Sequence, residues 1–205
     1  MKQGDGVGDY RECSVSEFGE FGVVDAQTYY YALSCLIPTW GASEGKCGDD
    51  SFAARYHRTR ALAVFAGDPA NGGLQLVFER ADPEIGLVVY RQPELVENAA
   101  GTLLHLWIKS DGSGNHNESE YYLRVAGHWE RIETEAWLSD LRQRLPAGLE
   151  IWRGIWPDLH TMLAEASLYR AGDANCCPSG GIARIQLAIR EKRLLLDSLV
   201  VEETP

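Results

Sequence analysis

The sequence has no apolar run near the ~20 residues that a membrane-spanning helix needs. Its opening Met1-Lys2-Gln3-Gly4-Asp5-Gly6 lacks the apolar centre of a signal peptide. Basic residues are in deficit: 19 Lys and Arg stand against 30 Asp and Glu, a formal net charge of −11. Nucleic acids and anionic lipid surfaces both recruit cationic faces, so neither is expected as a partner. The cluster Arg184, Arg190, Lys192 and Arg193 reads as the charged flank of a turn, not as a binding patch. Phosphate loops and dinucleotide fingerprints are missing, which removes the main nucleotide-enzyme signatures. No Cys-x-x-Cys hook occurs, and His57, His105, His116, His128 and His160 do not fall at metal-binding spacing.

Cysteine is where the sequence is most distinctive. Of the five, Cys176 and Cys177 are adjacent in the run Gly172-Asp173-Ala174-Asn175-Cys176-Cys177-Pro178-Ser179-Gly180-Gly181, whose composition dictates a tight loop. Adjacent cysteines cannot readily supply two corners of a tetrahedral zinc site, nor do they match a thioredoxin-like pair. In extended chain they point to opposite sides of the backbone. A cross-link from each to a different partner is the simplest reading, with Cys13 the natural candidate to meet this loop. Cys35 and Cys47 are close enough in sequence to staple the Gly-rich loop between them. Loop cysteines of this kind point to an oxidising compartment. The expectation is a periplasmic or secreted protein whose signal peptide has been removed, with a cytoplasmic location as the alternative.

At 45% hydrophobic and 24% charged, a 205-residue chain can bury one substantial core. Short alternating runs dominate and predict an α+β fold, predominantly antiparallel β, of about ten short strands in hairpins. The pairs Arg60–Ala66 with Leu74–Arg80, and Tyr121–Val125 with His128–Ile132, read as hairpins. In the first, Leu74, Leu76 and Phe78 share a face. Ile85–Tyr90, Thr102–Ile108, Leu149–Ile155 and Met162–Tyr169 read as further strands. In Ile182–Val201, Ala183, Ile185, Leu187 and Ile189 alternate with polar residues, which favours a hairpin over a helix. One amphipathic helix is expected near 134–145: Thr134 as N-cap, Trp137, Leu138, Leu141 and Leu145 at helical spacing, and Pro146 as the stop. Residues 1–24 read as a polar N-terminal arm, and 25–205 as a single β-rich domain.

Three constellations bear on function. Asp111, Ser113, Asn115 and Asn117 alternate as a calcium loop would require, although His116 and Tyr122 replace the Gly and Glu of an EF-hand. Calcium is the one cofactor this suggests. Asn117-Glu118-Ser119 also fits a glycosylation sequon. Among aromatics, Trp156 with Asp158 in a turn, and Tyr121 with Trp129 on a hairpin, form a candidate binding surface. Cys176 or Cys177 paired with a histidine (His160 or His128) would make a thiol nucleophile.

The leading expectation is a disulfide-stabilised, extracytoplasmic β-rich module that binds a protein or a small ligand, with no catalytic residue assigned. A thiol-dependent enzyme or hydrolase using Cys176 or Cys177, and a calcium-stabilised domain using the 111–117 loop, are the alternatives.

Overall fold

A period of two in the apolar pattern sends alternate side chains to opposite faces of a strand. The computed structural model is accordingly built mostly of antiparallel strands, with a single helix among the described residues. The structure describes residues 10–39, 47, 59–68, 72–81, 88–110 and 116–204. The chain divides into two units, Met1–Pro93 and Glu94–Pro205. The expected division into an arm over 1–24 and one domain over 25–205 does not follow this line.

In the first unit, β1 (Tyr10–Val24), β2 (Gln27–Pro38), β3 (Thr59–Asp68) and β4 (Gly73–Ala81) form one antiparallel sheet in that order. A short β5 (Val88–Tyr90) follows. The region expected to be a polar arm is thus, from Tyr10 onwards, a 15-residue edge strand. Its polar, Gly-containing composition conceals a ladder with β2 that shifts register at three places, between Tyr10 and Glu12, Val15 and Glu17, and Glu20 and Gly22. These bulges erase the alternation by which strands are recognised. A register shift in β3–β4, where Val64 faces Phe78 but Phe65 faces Leu76, does the same to the expected Leu74–Leu76–Phe78 face: Leu76 is 55% exposed.

The second unit holds two four-stranded sheets. One has the order β10 (His128–Arg131), β9 (Glu120–Val125), β7 (Gly101–Leu106), β6 (Glu94–Asn98). The other has the order β11 (Leu149–Glu150), β12 (Leu163–Arg170), β13 (Gly181–Arg190), β14 (Arg193–Glu202). The stretch expected as one strand over 102–108 is broken at Trp107, after which β8 (Ile108–Ser110) begins. Val96, Leu103 and Tyr121 from the first sheet, Ala164, Ala166, Leu168, Ala183, Ile185 and Leu187 from the second, and Trp137 and Leu141 from α1 (Glu135–Arg144) share one core. Burial of this apolar surface drives the packing of the layers.

Two-residue turns set the hairpins. Ala126–Gly127 and Glu191–Lys192 have positive φ at both positions, as a type I′ connection requires. The 182–201 segment is therefore a hairpin, with Ala183, Ile185 and Leu187 buried and Arg184 outward. The basic cluster there is spent on ion pairs: Arg184 with Glu165 and Glu202, Arg190 with Asp197, Lys192 with Glu130, Arg193 with Glu133.

Helix α1 starts where expected, but Thr134 makes no side-chain capping bond. Glu133 does the capping instead: its Oε1 accepts from the Glu135 N–H at 2.5 Å and the Ala136 N–H at 3.1 Å. The backbone of Glu133 also pairs with the β13–β14 hairpin, accepting from Leu194 N–H and donating to Lys192 O, both at 2.9 Å. The cap and the docking of the helix therefore depend on one residue.

Candidate functional site

Helix α1 carries Trp137, Leu138, Leu141 and Arg142 along one stripe, the spacing that aligns side chains on a helix face. Opposite it runs 151–155, expected as a strand but without strand partners beyond Glu150. Asn117 anchors this segment by donating from Nδ2 to Ile155 O at 2.7 Å, and also reaches the Tyr121 hydroxyl at 3.2 Å. Between helix and segment lies a pocket of about 140 Å³. Its apolar walls include Trp137, Leu138, Leu141, Ile151 and Ile155, and Tyr121, Asn117 and Ser119 also border it.

The charge of this pocket opposes that of the chain. Among the described residues no carboxylate lines it, whereas Arg142 and Arg153 do, with His116 beside them. Both guanidiniums are exposed, and Arg142 makes no ion pair among the described residues. Burial pushes the Tyr121 phenol up, partly offset by Asn117 and Ser119, so it stays a neutral donor at physiological pH. A mostly apolar concavity with a few convergent polar groups is the usual form of a small-ligand site. The first unit has a larger cavity of about 390 Å³, whose lining is more polar, with Ser14, Ser16, Ser34, Glu17 and Arg60 on it, and includes a carboxylate.

The double-cysteine loop adjoins the pocket. Cys176 and Cys177 are bonded to each other, and Cys13 is an exposed free thiol, so the expected link from Cys13 to this loop is replaced. Adjacent cysteines can meet once the chain leaves the extended state, here in a turn closed by Cys177 N–H to Ala174 O at 2.8 Å. Cys35 and Cys47 form the other disulfide, the staple read from their spacing. Both sulfurs of the 176–177 pair lie in the bond, so a thiol nucleophile there would require prior reduction.

The remainder of the motif is structural. Asp173 accepts from Arg170 N–H at 2.7 Å, Ser179 N–H at 2.9 Å and Ser179 Oγ at 2.7 Å. The Arg170 N–H first, then the Ser179 hydroxyl and N–H, hold its carboxyl below the usual carboxylate range. A Cβ on Gly180 would come within 2.8 Å of Leu149 Cδ2 and Leu168 O, so that position has no room for a side chain. At the loop's apex the Asn175 carbonyl accepts from Tyr169 Oη at 3.1 Å and Arg153 Nη2 at 2.8 Å. The Tyr169 ring stacks on Trp152, with centroids 4.3 Å apart. Trp152 and Arg153 both line the pocket.

Of the residues expected as an aromatic surface, Trp156, Asp158, Tyr121 and Trp129, the structure joins Tyr121 and Trp156 through the rings of His105 and Trp107. Tyr121 is 4% exposed and borders the pocket. Trp156 is half-buried and stacks on Trp107 at 4.5 Å. The exposed Asp158 accepts from His160 N–H at 2.9 Å and Thr161 N–H at 3.4 Å, closing a turn. Trp129 pairs in register with Arg124, one residue out of phase with Tyr121 and Leu123, and so lies on the other face of the sheet. The Arg124 guanidinium sits 5.1 Å from its ring centroid.

Of the calcium candidates, Asp111, Ser113 and Asn115 lie outside the described residues. Asn117 is committed to Ile155, Tyr121 and Ser119. Among the described residues no three His, Cys, Asp or Glu side chains are placed to hold a metal ion. The sequence carries a Gly-x-Ser-x-Gly spacing at Gly41-Ala42-Ser43-Glu44-Gly45, outside the described residues. His160 approaches Glu94 at 3.4 Å, not a cysteine. His105 is 3.6 Å from the same carboxylate. These two imidazoles, His105 chiefly, hold the Glu94 carboxyl low, while burial holds the His105 imidazole towards its neutral form.

No family model matches this chain, and no curated protein matches it. The residues that build the pocket were hidden in the sequence for a physical reason. Arg142 sits in the last turn of the helix, where a cation is already explained by the helix dipole. Arg153 looks like an ordinary loop cation until the fold brings it beside α1.

Proposed function

We propose that the chain is a disulfide-stabilised β-rich binding module of an oxidising, extracytoplasmic compartment, and that its ligand is a small amphipathic anion seated between α1 and 151–155. The observation that carries this reading is the pairing of an apolar wall with two arginines and, among the described residues, no carboxylate in a chain of net charge −11. Size narrows the ligand: about 140 Å³ is comparable to the ~150 Å³ cavity that holds one benzene ring. A single aromatic ring, or an acyl chain of like volume, bearing a carboxylate fits both walls and rim. The two disulfides support the compartment, because such bonds persist where thiols are not kept reduced.

The test is binding of phenylacetate, phenylacetamide and acetate, followed by saturation-transfer NMR and by thermal shift. Phenylacetate is expected to bind, with weaker binding of the amide and none of acetate. Equal response to phenylacetate and the amide would remove the role of the arginines. No response to either aromatic compound would remove the pocket as a ligand site.

A further inference from the structure

We propose that Cys176–Cys177 is a thiol–disulfide exchange site for an external dithiol, and that its opening resets the Trp152–Arg153 wall of the pocket. Three observations meet here. Both cysteines are exposed, whereas in the other disulfide Cys35 is buried at 7% and Cys47 is half-buried. Exchange requires access of the attacking thiolate to sulfur, so an external dithiol reaches the 176–177 bond first. The bond also holds the turn. In extended chain the two side chains diverge, so ring closure and the turn ending in Cys177 N–H to Ala174 O support each other. Finally, Asn175, inside that turn, offers its carbonyl to Tyr169 and Arg153.

The exchange balances without any further reactant. One thiolate of the dithiol attacks either sulfur, breaking the Cys176–Cys177 bond, forming a mixed disulfide and leaving a thiolate on the other cysteine, which takes up a proton. The second thiol of the dithiol then attacks the mixed disulfide, releases the remaining cysteine as a thiol and leaves as an oxidised disulfide. The protein gains two electrons and two protons, and the dithiol loses them.

The consequence is confined to the apex. The base of the loop is held separately, by Asp173 to Arg170 and Ser179 and by Gly180 N–H to Leu168 O at 2.8 Å. When the ring opens, the Asn175 carbonyl is no longer fixed, Arg153 and Tyr169 lose their acceptor, and the Tyr169–Trp152 stack loses its tether. The effect on ligand affinity, and only that effect, rests on the pocket reading. Ordering two freed side chains on binding weakens phenylacetate by at least about fivefold in the reduced protein.

The experiment treats the full chain with graded dithiothreitol, traps thiols by alkylation and maps them by mass spectrometry. In parallel, the tryptophan indole N–H signals are followed by NMR, with Trp152 assigned from the Trp152→Phe variant. Cys13 is expected to alkylate throughout, and Cys176 and Cys177 before Cys35 and Cys47. The Trp152 indole signal, whose donor bonds to Glu150 at 2.8 Å, should shift while the Trp129 signal stays. The double variant Cys176→Ser/Cys177→Ser should reproduce that shift without reductant. Protection of Cys176 and Cys177 until the Cys35–Cys47 bond has opened would overturn the exchange site. An unmoved Trp152 signal in both the reduced protein and the double variant would overturn the coupling. If thiols and Trp152 respond as expected but phenylacetate binds neither redox state, the pocket reading falls and the exchange site stands.

Discussion

Replacing Leu141 with Ala enlarges the pocket from inside, and the cost can be worked from its position. Leu141 is 1% exposed, belongs to the core shared by both sheets of the second unit, and lines the pocket. Removing three buried carbons forfeits about 2.4 kcal/mol of transfer free energy at ~0.8 kcal/mol each. Closed cores add a void penalty that lifts Leu→Ala to about 2.7–5.0 kcal/mol. Here the new space joins a pocket already open to solvent, so the void term is small and the expected loss is about 2.5–3 kcal/mol, near the bottom of that range. Urea unfolding followed by tryptophan fluorescence measures it, because Trp107, Trp129, Trp137, Trp152 and Trp156 all lie in the second unit. The same variant should bind a two-ring carboxylate such as 2-naphthoate more tightly than the parent does. A loss above about 4 kcal/mol would show that the new void is sealed, and an unchanged naphthoate affinity would show that Leu141 does not bound the ligand space.

Arg142→Ala should weaken phenylacetate by about 1.4- to fivefold, the 0.2–1 kcal/mol of an exposed ion pair, leaving phenylacetamide unaffected; calorimetry reads both. Glu133→Ala should cost about 1 kcal/mol in urea unfolding through loss of the helix cap. Thr134→Ala, at the nominal N-cap, should cost almost nothing, and the reverse order would refute the capping assignment. Asp173 has its carboxyl depressed by Arg170 and Ser179. The order it imposes on the loop is therefore complete above the ordinary Asp value of about 3.9 and fades as pH falls through the lower folded value. NMR titration of the Ser179 amide should follow that loss, and Asp173→Asn should abolish it.

The regular parts of the fold were legible because a period of two is hard to disguise. Ala183, Ile185 and Leu187 revealed β13, and the Ala126–Gly127 turn revealed the β9–β10 hairpin. The long β1 was not legible, because each bulge resets the phase of its alternation. Residues 151–155 read as a strand from their composition, yet their partner is a helix face and not another strand, which propensity cannot encode. The Cys35–Cys47 staple followed from proximity in sequence. The 176–177 bond did not, since it depends on a loop held by the Asp173 carboxylate accepting from Arg170 and Ser179, and by Tyr169 donating to the Asn175 carbonyl. The site was least visible of all. Its arginines, its tyrosine and its apolar wall are separated along the chain and acquire a common meaning only when folded.

The irregularity of β1 has a consequence for how copies of this protein meet. As the outer strand of its sheet it presents a row of backbone donors and acceptors, flanked by the exposed Val15, Phe18 and Val23. A straight strand of that length would recruit the matching edge of a neighbour and start a growing ribbon. Three interruptions of register cut the row into short stretches of differing twist, none long enough to serve as a template. Deleting Ser16 and Phe21, which fall at two of those interruptions, would smooth the edge, and the shortened chain is expected to form fibrils at concentrations where the parent stays dispersed. The protection against assembly lies in the places where this strand fails to be regular.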